Sequence, residues 1–198
     1  MSFSSARNAG CGAETGRLFV VSAPSGAGKT TLCRAAREQF PDLLYSVSFT
    51  TRLPRPGETD GSDYHFIERE AFEKGIREKR WAEWAVVHGN YYGTCAAFIE
   101  GNLQKGKDIL MDIDVQGAEQ ILKRYPEAVT IFVEPPSLEV LRHRLESRKT
   151  DRPDEIDRRM DEARKEMAKR HLYRHVILNE RLEPAVQELA GIIEAYRR

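Results

Sequence analysis

The chain alternates short apolar runs with stretches in which apolar positions recur every three or four residues. Residues 18–23 (LFVVSA), 45–49, 109–114 (ILMDID), 128–134 (AVTIFVE) and 175–179 (HVILN) have strand length and β-branched content. Between them the spacing predicts helices over 29–40, 95–105, 116–124, 137–148, 154–172 and 183–197. Apolar strands separated by helices predict an α/β fold, a mainly parallel sheet covered on both faces. Two segments break the alternation. Residues 50–94 are polar, aromatic and turn-rich, with Pro54, Pro56, Gly57, Gly61, Gly89 and Gly93, and read as an insertion with small strands and a helix near 69–79. Residues 148–159 (RKTDRPDEIDRR) are almost entirely charged and separate two helices. Residues 1–16 are rich in Ser, Ala and Gly, with only Arg7 and Glu14 charged, and read as a flexible leader.

Composition narrows the function classes. With 198 residues the chain is large enough for one sizeable domain, or one domain with insertions, and too short for two full-sized ones. Lys plus Arg and Asp plus Glu are 31 each, so the formal charge is zero and bulk binding to polymeric nucleic acid or an anionic membrane is not expected. Any polyanion must meet a local positive cluster. Cys11, Cys33 and Cys95 are too few and scattered for a disulfide framework, which suits a reducing, cytoplasmic setting. No apolar run approaches the roughly 18 residues of a membrane span. His171 and His175 are four apart but lack a third ligand, so no histidine metal site is expected.

The sharpest local signal is Ala23-Pro24-Ser25-Gly26-Ala27-Gly28-Lys29-Thr30 between a strand and a helix. It matches the phosphate-binding pattern G-x-x-x-x-G-K-[ST], with Ala23 at the first glycine. Gly26 and Gly28 allow backbone N–H groups to converge on an anion, and the helix N-terminus adds a favourable dipole. Lys29 supplies a point charge for terminal phosphates, and the Thr30 hydroxyl can ligate Mg²⁺. The run 109–114 places Asp112 and Asp114 at a second strand's C-terminal end, where Mg²⁺ or its water shell is held, with Asp112 acting through water. Arg52 and Arg55, three apart in a proline-containing loop, offer two planar forks for one phosphate, with Tyr64, Tyr91 and Tyr92 nearby.

Three further stretches extend the pattern: 48–58 (SFTTRLPRPGE), 61–64 (GSDY) and 89–94 (GNYYGT). With the phosphate-binding turn and 112–117 (DIDVQG), the chain over about 17–197 resembles the guanylate kinase family, the ATP-dependent GMP phosphotransferases. The resemblance implies a P-loop nucleoside monophosphate kinase fold: a parallel five-stranded core (17–49, 95–143 and 160–197), a GMP-binding insertion (50–94) and a lid (about 144–159). It also implies ATP and GMP as substrates, with dGMP beside GMP, and Mg²⁺ as cofactor. Residues Ala23 to Thr31 (Ala23, Pro24, Ser25, Gly26, Ala27, Gly28, Lys29, Thr30, Thr31) match the ATP-binding loop, and Asn179 sits where the family contacts adenine. Arg52, Arg55, Tyr64 and Tyr92 match the group that holds the GMP phosphate. Ser48, Glu83, Thr94 and Asp114 match the guanine-reading group. Arg144, Arg148 and Arg159 match the lid arginines, which with Lys29 and Arg52 form the expected catalytic set. Thr94 stands where serine is common, Phe49 where a small or polar residue is frequent, and Arg148-Lys149-Thr150 replaces a commoner Arg-Gly lid start.

Chemistry agrees with this assignment. A phosphomonoester acceptor has a second pKa near ~6 and is already a nucleophile at neutral pH, so no general base is needed. The difficulty is bringing two polyanions together, which calls for positioning and charge neutralisation. Two other readings stay open: a non-catalytic interaction module of the same fold, against which Gly26, Gly28, Lys29 and Thr30 argue, and a kinase for another nucleotide, against which Glu83, Ser48 and Thr94 argue. Oligomeric state is open.

Overall fold

The computed structural model describes residues 15–147 and 152–197. Five strands form the core sheet: β1 (Leu18–Ser22), β2 (Leu44–Tyr45), β7 (Ile109–Ile113), β8 (Val129–Glu134) and β9 (His175–Leu178). Their order is β2-β7-β1-β8-β9, with every pairing parallel. This is the mainly parallel sheet expected from the apolar runs, with the five strands that the family resemblance implied. Each residue of β1 is buried, because helices cover both faces. Phe19 and Val21 pack towards α1 (Lys29–Arg37) and α7 (Leu182–Arg197), while Leu18 and Val20 pack towards α3 (Ala96–Leu103) and α4 (Val115–Arg124).

Residues between Phe49 and Cys95 build a second sheet from β3 (Phe49–Thr50), β4 (His65–Phe66), β5 (Trp81–Val87) and β6 (Asn90–Cys95), in the order β4-β3-β6-β5. It closes over α2 (Arg69–Arg77) through an aromatic stack, with Phe72 at 4.4 Å from Trp81 and 5.0 Å from Tyr91. Helix α5 (Leu138–Ser147) and helix α6 (Pro153–Met167) pack on each other through Leu141, Leu145, Ile156 and Met160. Among the described residues no helix is long and apolar enough to cross a membrane.

Four boundaries differ from the sequence expectation, the first being the helix predicted over 29–40, which ends at Arg37. The run 45–49 is not one strand: β2 ends at Tyr45 in the core sheet, and Phe49 opens β3 in the second. Its apolar residues serve two cores, since the Phe49 ring packs at a tilt against Trp81, 5.0 Å between centroids. The helix expected over 154–172 stops at Met167, and a 3₁₀ turn at Arg170–Leu172 leads into β9. There Arg170 pairs with Glu134 at 2.6 Å, at the end of β8. Gly16, placed in the leader by composition, is pinned by its N–H donating to Leu103 O at 2.9 Å. Residues 1–14 of that stretch lie outside the described residues.

Candidate active site

Parallel neighbours β1 and β7 end side by side, with Ser22 opposite Ile113. That register brings the loop after β1 against Asp112 and Asp114, in the crevice beyond the strands' carboxyl ends. Gly26 and Gly28 both sit at φ +93°, and Gly28 caps α1 in the left-handed conformation. A Cβ on Gly28 would stand 2.6 Å from Asn179 Nδ2. Ala27 O is the loop's anchor: it accepts from Asn179 Nδ2 at 2.7 Å and from Arg144 at 3.3 Å. Arg144 also donates to Asn179 O at 2.9 Å. The structure therefore places Asn179 and Arg144 as braces of the loop wall.

Lys29 Nζ donates to Ile113 O at 2.8 Å and lies 3.8 Å from Asp112. The Thr30 hydroxyl donates to Asp112 Oδ2 at 3.0 Å, and Tyr45 OH donates to the other oxygen, Oδ1. Burial, with Asp112 alongside, pushes the Tyr45 phenol well above its ordinary range, so it stays a donor.

A cavity of about 560 Å³ opens beside this cluster. Its lining joins Thr30 and Asp112 to Arg52, Arg55, Tyr64 and Tyr92, four residues expected to hold a phosphate. Arg52 is held in place: its fork grips Glu58 at 2.8 and 2.9 Å, and its Nε donates to Tyr92 OH at 3.3 Å. Burial alone would raise the Glu58 carboxyl, but the Arg52 fork and the Arg55 N–H outweigh it and hold it below its ordinary value. Arg34, Arg37, Tyr45 and Glu58 also line the cavity, and sequence reasoning did not single them out. A signal was there, because Thr30, Arg34 and Arg37 fall at i, i+4 and i+7, one face of α1.

The residues expected to read a base split off from this cavity's lining. Glu83 is only 4% exposed, although it lies between Trp81 and Trp84. An irregular register between Trp81 and Glu83 turns the carboxylate inward while Trp84 faces out. The Thr94 hydroxyl donates to Glu83 Oε1 at 2.6 Å. Asp114 Oδ1 accepts from Gly117 N at 2.7 Å and caps α4. A Cβ at Gly117 would meet Glu83 Oε2 at 2.4 Å, so a glycine is what lets β5 and α4 approach here. Burial, with Asp114 nearby, raises the Glu83 carboxyl to about 7, against the lowering effect of Thr94. Ser48 lies at the entry to β3, where its carbonyl accepts from His65 N at 2.9 Å.

Arg159 on α6 is 8% exposed and donates to His88 Nε2 at 3.4 Å. Arg148, the remaining expected lid arginine, lies outside the described residues. Glu166, also unforeseen, faces the Ser25 N–H of the loop; burial and the nearby Asp114 and Glu162 raise it to about 7.

A phosphate-binding loop on a parallel sheet, next to an arginine-lined cavity, defines a P-loop kinase. The guanylate kinase family model matches residues 15–196. A guanylate kinase of Syntrophotalea carbinolica is 51% identical over 180 residues, covering 91% of this chain and 86% of its own. One from Dechloromonas aromatica is 47% identical over 180 residues, covering 91% and 89%. The crystal structure of guanylate kinase from Anaplasma phagocytophilum superposes with a TM-score of 0.79 at 34% identity, over 93% of this chain and 87% of that one. The chain belongs to the guanylate kinase family, and it is an enzyme of the phosphotransferase class.

Proposed function

We propose that this protein transfers the γ-phosphoryl group of ATP to GMP, and to dGMP, giving ADP and the nucleoside diphosphate. The observation that carries this reading is the pairing of two built sites. One is a P-loop whose Lys29 and Thr30 meet Asp112. The other is a buried carboxylate, Glu83, held by Thr94, which lies two residues along β6 from Tyr92 on the wall of the arginine-lined cavity.

In this reading the loop 23–31 takes the donor phosphates on its backbone N–H groups, and Lys29 swings from Ile113 O onto them. Arg52, Arg55, Tyr64 and Tyr92 hold the acceptor phosphate at the cavity wall. That phosphate, with a second pKa near ~6, attacks as the dianion, so the chain supplies position and positive charge and no base. Arg144, Arg148 and Arg159 add charge over the donor. Asn179 keeps the loop in shape through Ala27 and contacts the adenine. Thr30 and Asp112 are hard oxygen donors of the kind Mg²⁺ takes together with water and phosphate oxygens, so they would hold it. A Mg²⁺ ion held there would supply positive charge to offset that of the donor phosphates.

Glu83, Thr94, Ser48 and Asp114 read the base. A carboxylate accepts from guanine N1–H and the N2 amine together, while a hydroxyl donates to O6. Adenine would leave buried groups unpaired at ~1–3 kcal/mol each. The segments 50–94 and about 144–159 act as acceptor-binding insertion and lid, and the setting is cytoplasmic purine nucleotide recycling. ADP formation measured with GMP, AMP, CMP and UMP tests the reading. GMP should be preferred by about 10³-fold or more in kcat/KM; equal rates with AMP would refute it.

A further inference from the structure

We infer that His88, at the tip of the β5–β6 hairpin, is a positioning residue for the reaction: it reaches across to α6 and holds Arg159 in place for the donor phosphates. The inference rests on the proposed role of Arg159.

The hairpin turn is His88-Gly89, closed by the Val87–Asn90 pair, and both turn residues have positive φ, +49° and +80°. Asparagine or glycine fits the first position with less strain than histidine does. The side chain offsets that strain through contacts with another element. Arg159 Nε donates to His88 Nε2 at 3.4 Å, and an Arg158 nitrogen lies 3.4 Å from His88 Nδ1. A neutral imidazole has one acceptor nitrogen. With Nε2 accepting from Arg159, the proton sits on Nδ1, and Arg158 is a neighbour and not a donor. Arg159 is nearly buried whereas Arg158 is exposed, so the Arg159 contact is the one shielded from water.

Position along α6 connects this contact to the chemistry. Arg159 and Glu166 are seven residues apart, two turns on one face and roughly 10 Å along the axis. Glu166 faces the Ser25 N–H of the phosphate-binding loop. The same face of α6 therefore runs from the loop to the hairpin tip, and His88 braces its far end. The hairpin also carries Tyr92, on the cavity wall, so one short element touches both the acceptor side and the arginine expected over the donor.

The contact depends on charge. Facing His88 are Arg159, Arg158, Glu162 and Glu155, all from α6; the hairpin itself adds the Asn90 amide, which donates to His88 O at 3.2 Å. Partial burial, then Arg159, hold the imidazole below its ordinary value of 6.5. It is neutral at pH 7 and above. Protonation at lower pH removes the acceptor and sets a third positive charge beside two arginines.

The test is steady-state kinetics of His88→Asn and His88→Gln between about pH 5 and about pH 8. Asparagine suits the turn but its amide stops short of the Nε2 position, whereas glutamine reaches it and does not titrate. Expected at about pH 8 is a loss in kcat of about tenfold for His88→Asn, with KM for ATP and GMP within about twofold of wild type and most activity restored in His88→Gln. As pH falls below 6.5, wild type should converge on His88→Asn while His88→Gln keeps its advantage over both. A wild-type-to-Asn ratio that does not change with pH, or a glutamine variant no better than asparagine, overturns the inference. Arg159→Ala separates the two levels. If it collapses kcat and His88→Asn does not, only the His88 assignment fails. If Arg159→Ala keeps wild-type kcat, the role of Arg159 fails first. In the double variant the His88 change should add no loss beyond Arg159→Ala.

Discussion

Replacing Glu83 by glutamine should make the ligand-free protein more stable and the enzyme worse. The carboxyl is 4% exposed, and its burial raises it from 4.5 to about 7. A folded-state value above the unfolded one means that ionisation opposes folding. Below about pH 4.5 the group is protonated in both states and nothing is lost. The penalty grows as pH rises and is complete above about 7, where it is about 3 kcal/mol. Near pH 5.5 it is about 1 kcal/mol. Glutamine keeps the shape and still accepts from the Thr94 hydroxyl, but it carries no charge. Chemical denaturation of both proteins at the two pH values should show the variant gaining most near pH 8, with the gain shrinking towards pH 5.5. The amide offers guanine one acceptor and one donor in place of two acceptors. kcat/KM for GMP should fall by about 10²-fold or more, and the GMP-to-AMP ratio should shrink with it. A variant equally destabilised at both pH values, or an unchanged GMP-to-AMP ratio, would refute the reasoning.

Two other substitutions probe the donor side. Lys29→Ala should cut kcat more than about tenfold, a loss above ~1.4 kcal/mol, while GMP affinity measured by calorimetry stays within about twofold; a variant keeping most of its kcat removes Lys29 from the mechanism. Arg148→Ala should lower kcat far more than it raises either KM, because a lid arginine acts in the closed complex; a raised KM for ATP at constant kcat would make it a ground-state binder.

Legibility from sequence followed the locality of the signal. The loop from Ala23 to Thr30 is contiguous, and its glycines, lysine and threonine are all explained by one turn, so fold class and the P-loop were readable together. The apolar runs likewise predicted the parallel core, since strands buried on both faces have no polar alternation to confuse them. The second sheet was harder to read because its geometry is made by long-range packing. Nothing in residues 45–49 marks the point where the chain leaves one sheet for another. The inward turn of Glu83 depends on the irregular register at Trp81 and on the absence of a Cβ at Gly117, 34 residues on. Tyr45 reaches Asp112 only because β2 pairs with β7. Arg34 and Arg37 acquire a role only because α1 points its Thr30 face into the cavity. Glu58 shares the loop of Arg52 and Arg55, but its grip on the Arg52 fork follows from the turn at Gly57.

Transfer of label from ATP carrying ³²P at the γ-position tests the central claim most directly. Incubated with Mg²⁺ and each of the four nucleoside monophosphates in turn, the enzyme should move the label into GDP when GMP is present, with little released as inorganic phosphate. AMP, CMP and UMP should acquire label at rates lower by about 10³-fold or more. Label appearing chiefly as inorganic phosphate, or entering another nucleotide as fast as GMP, would contradict the account.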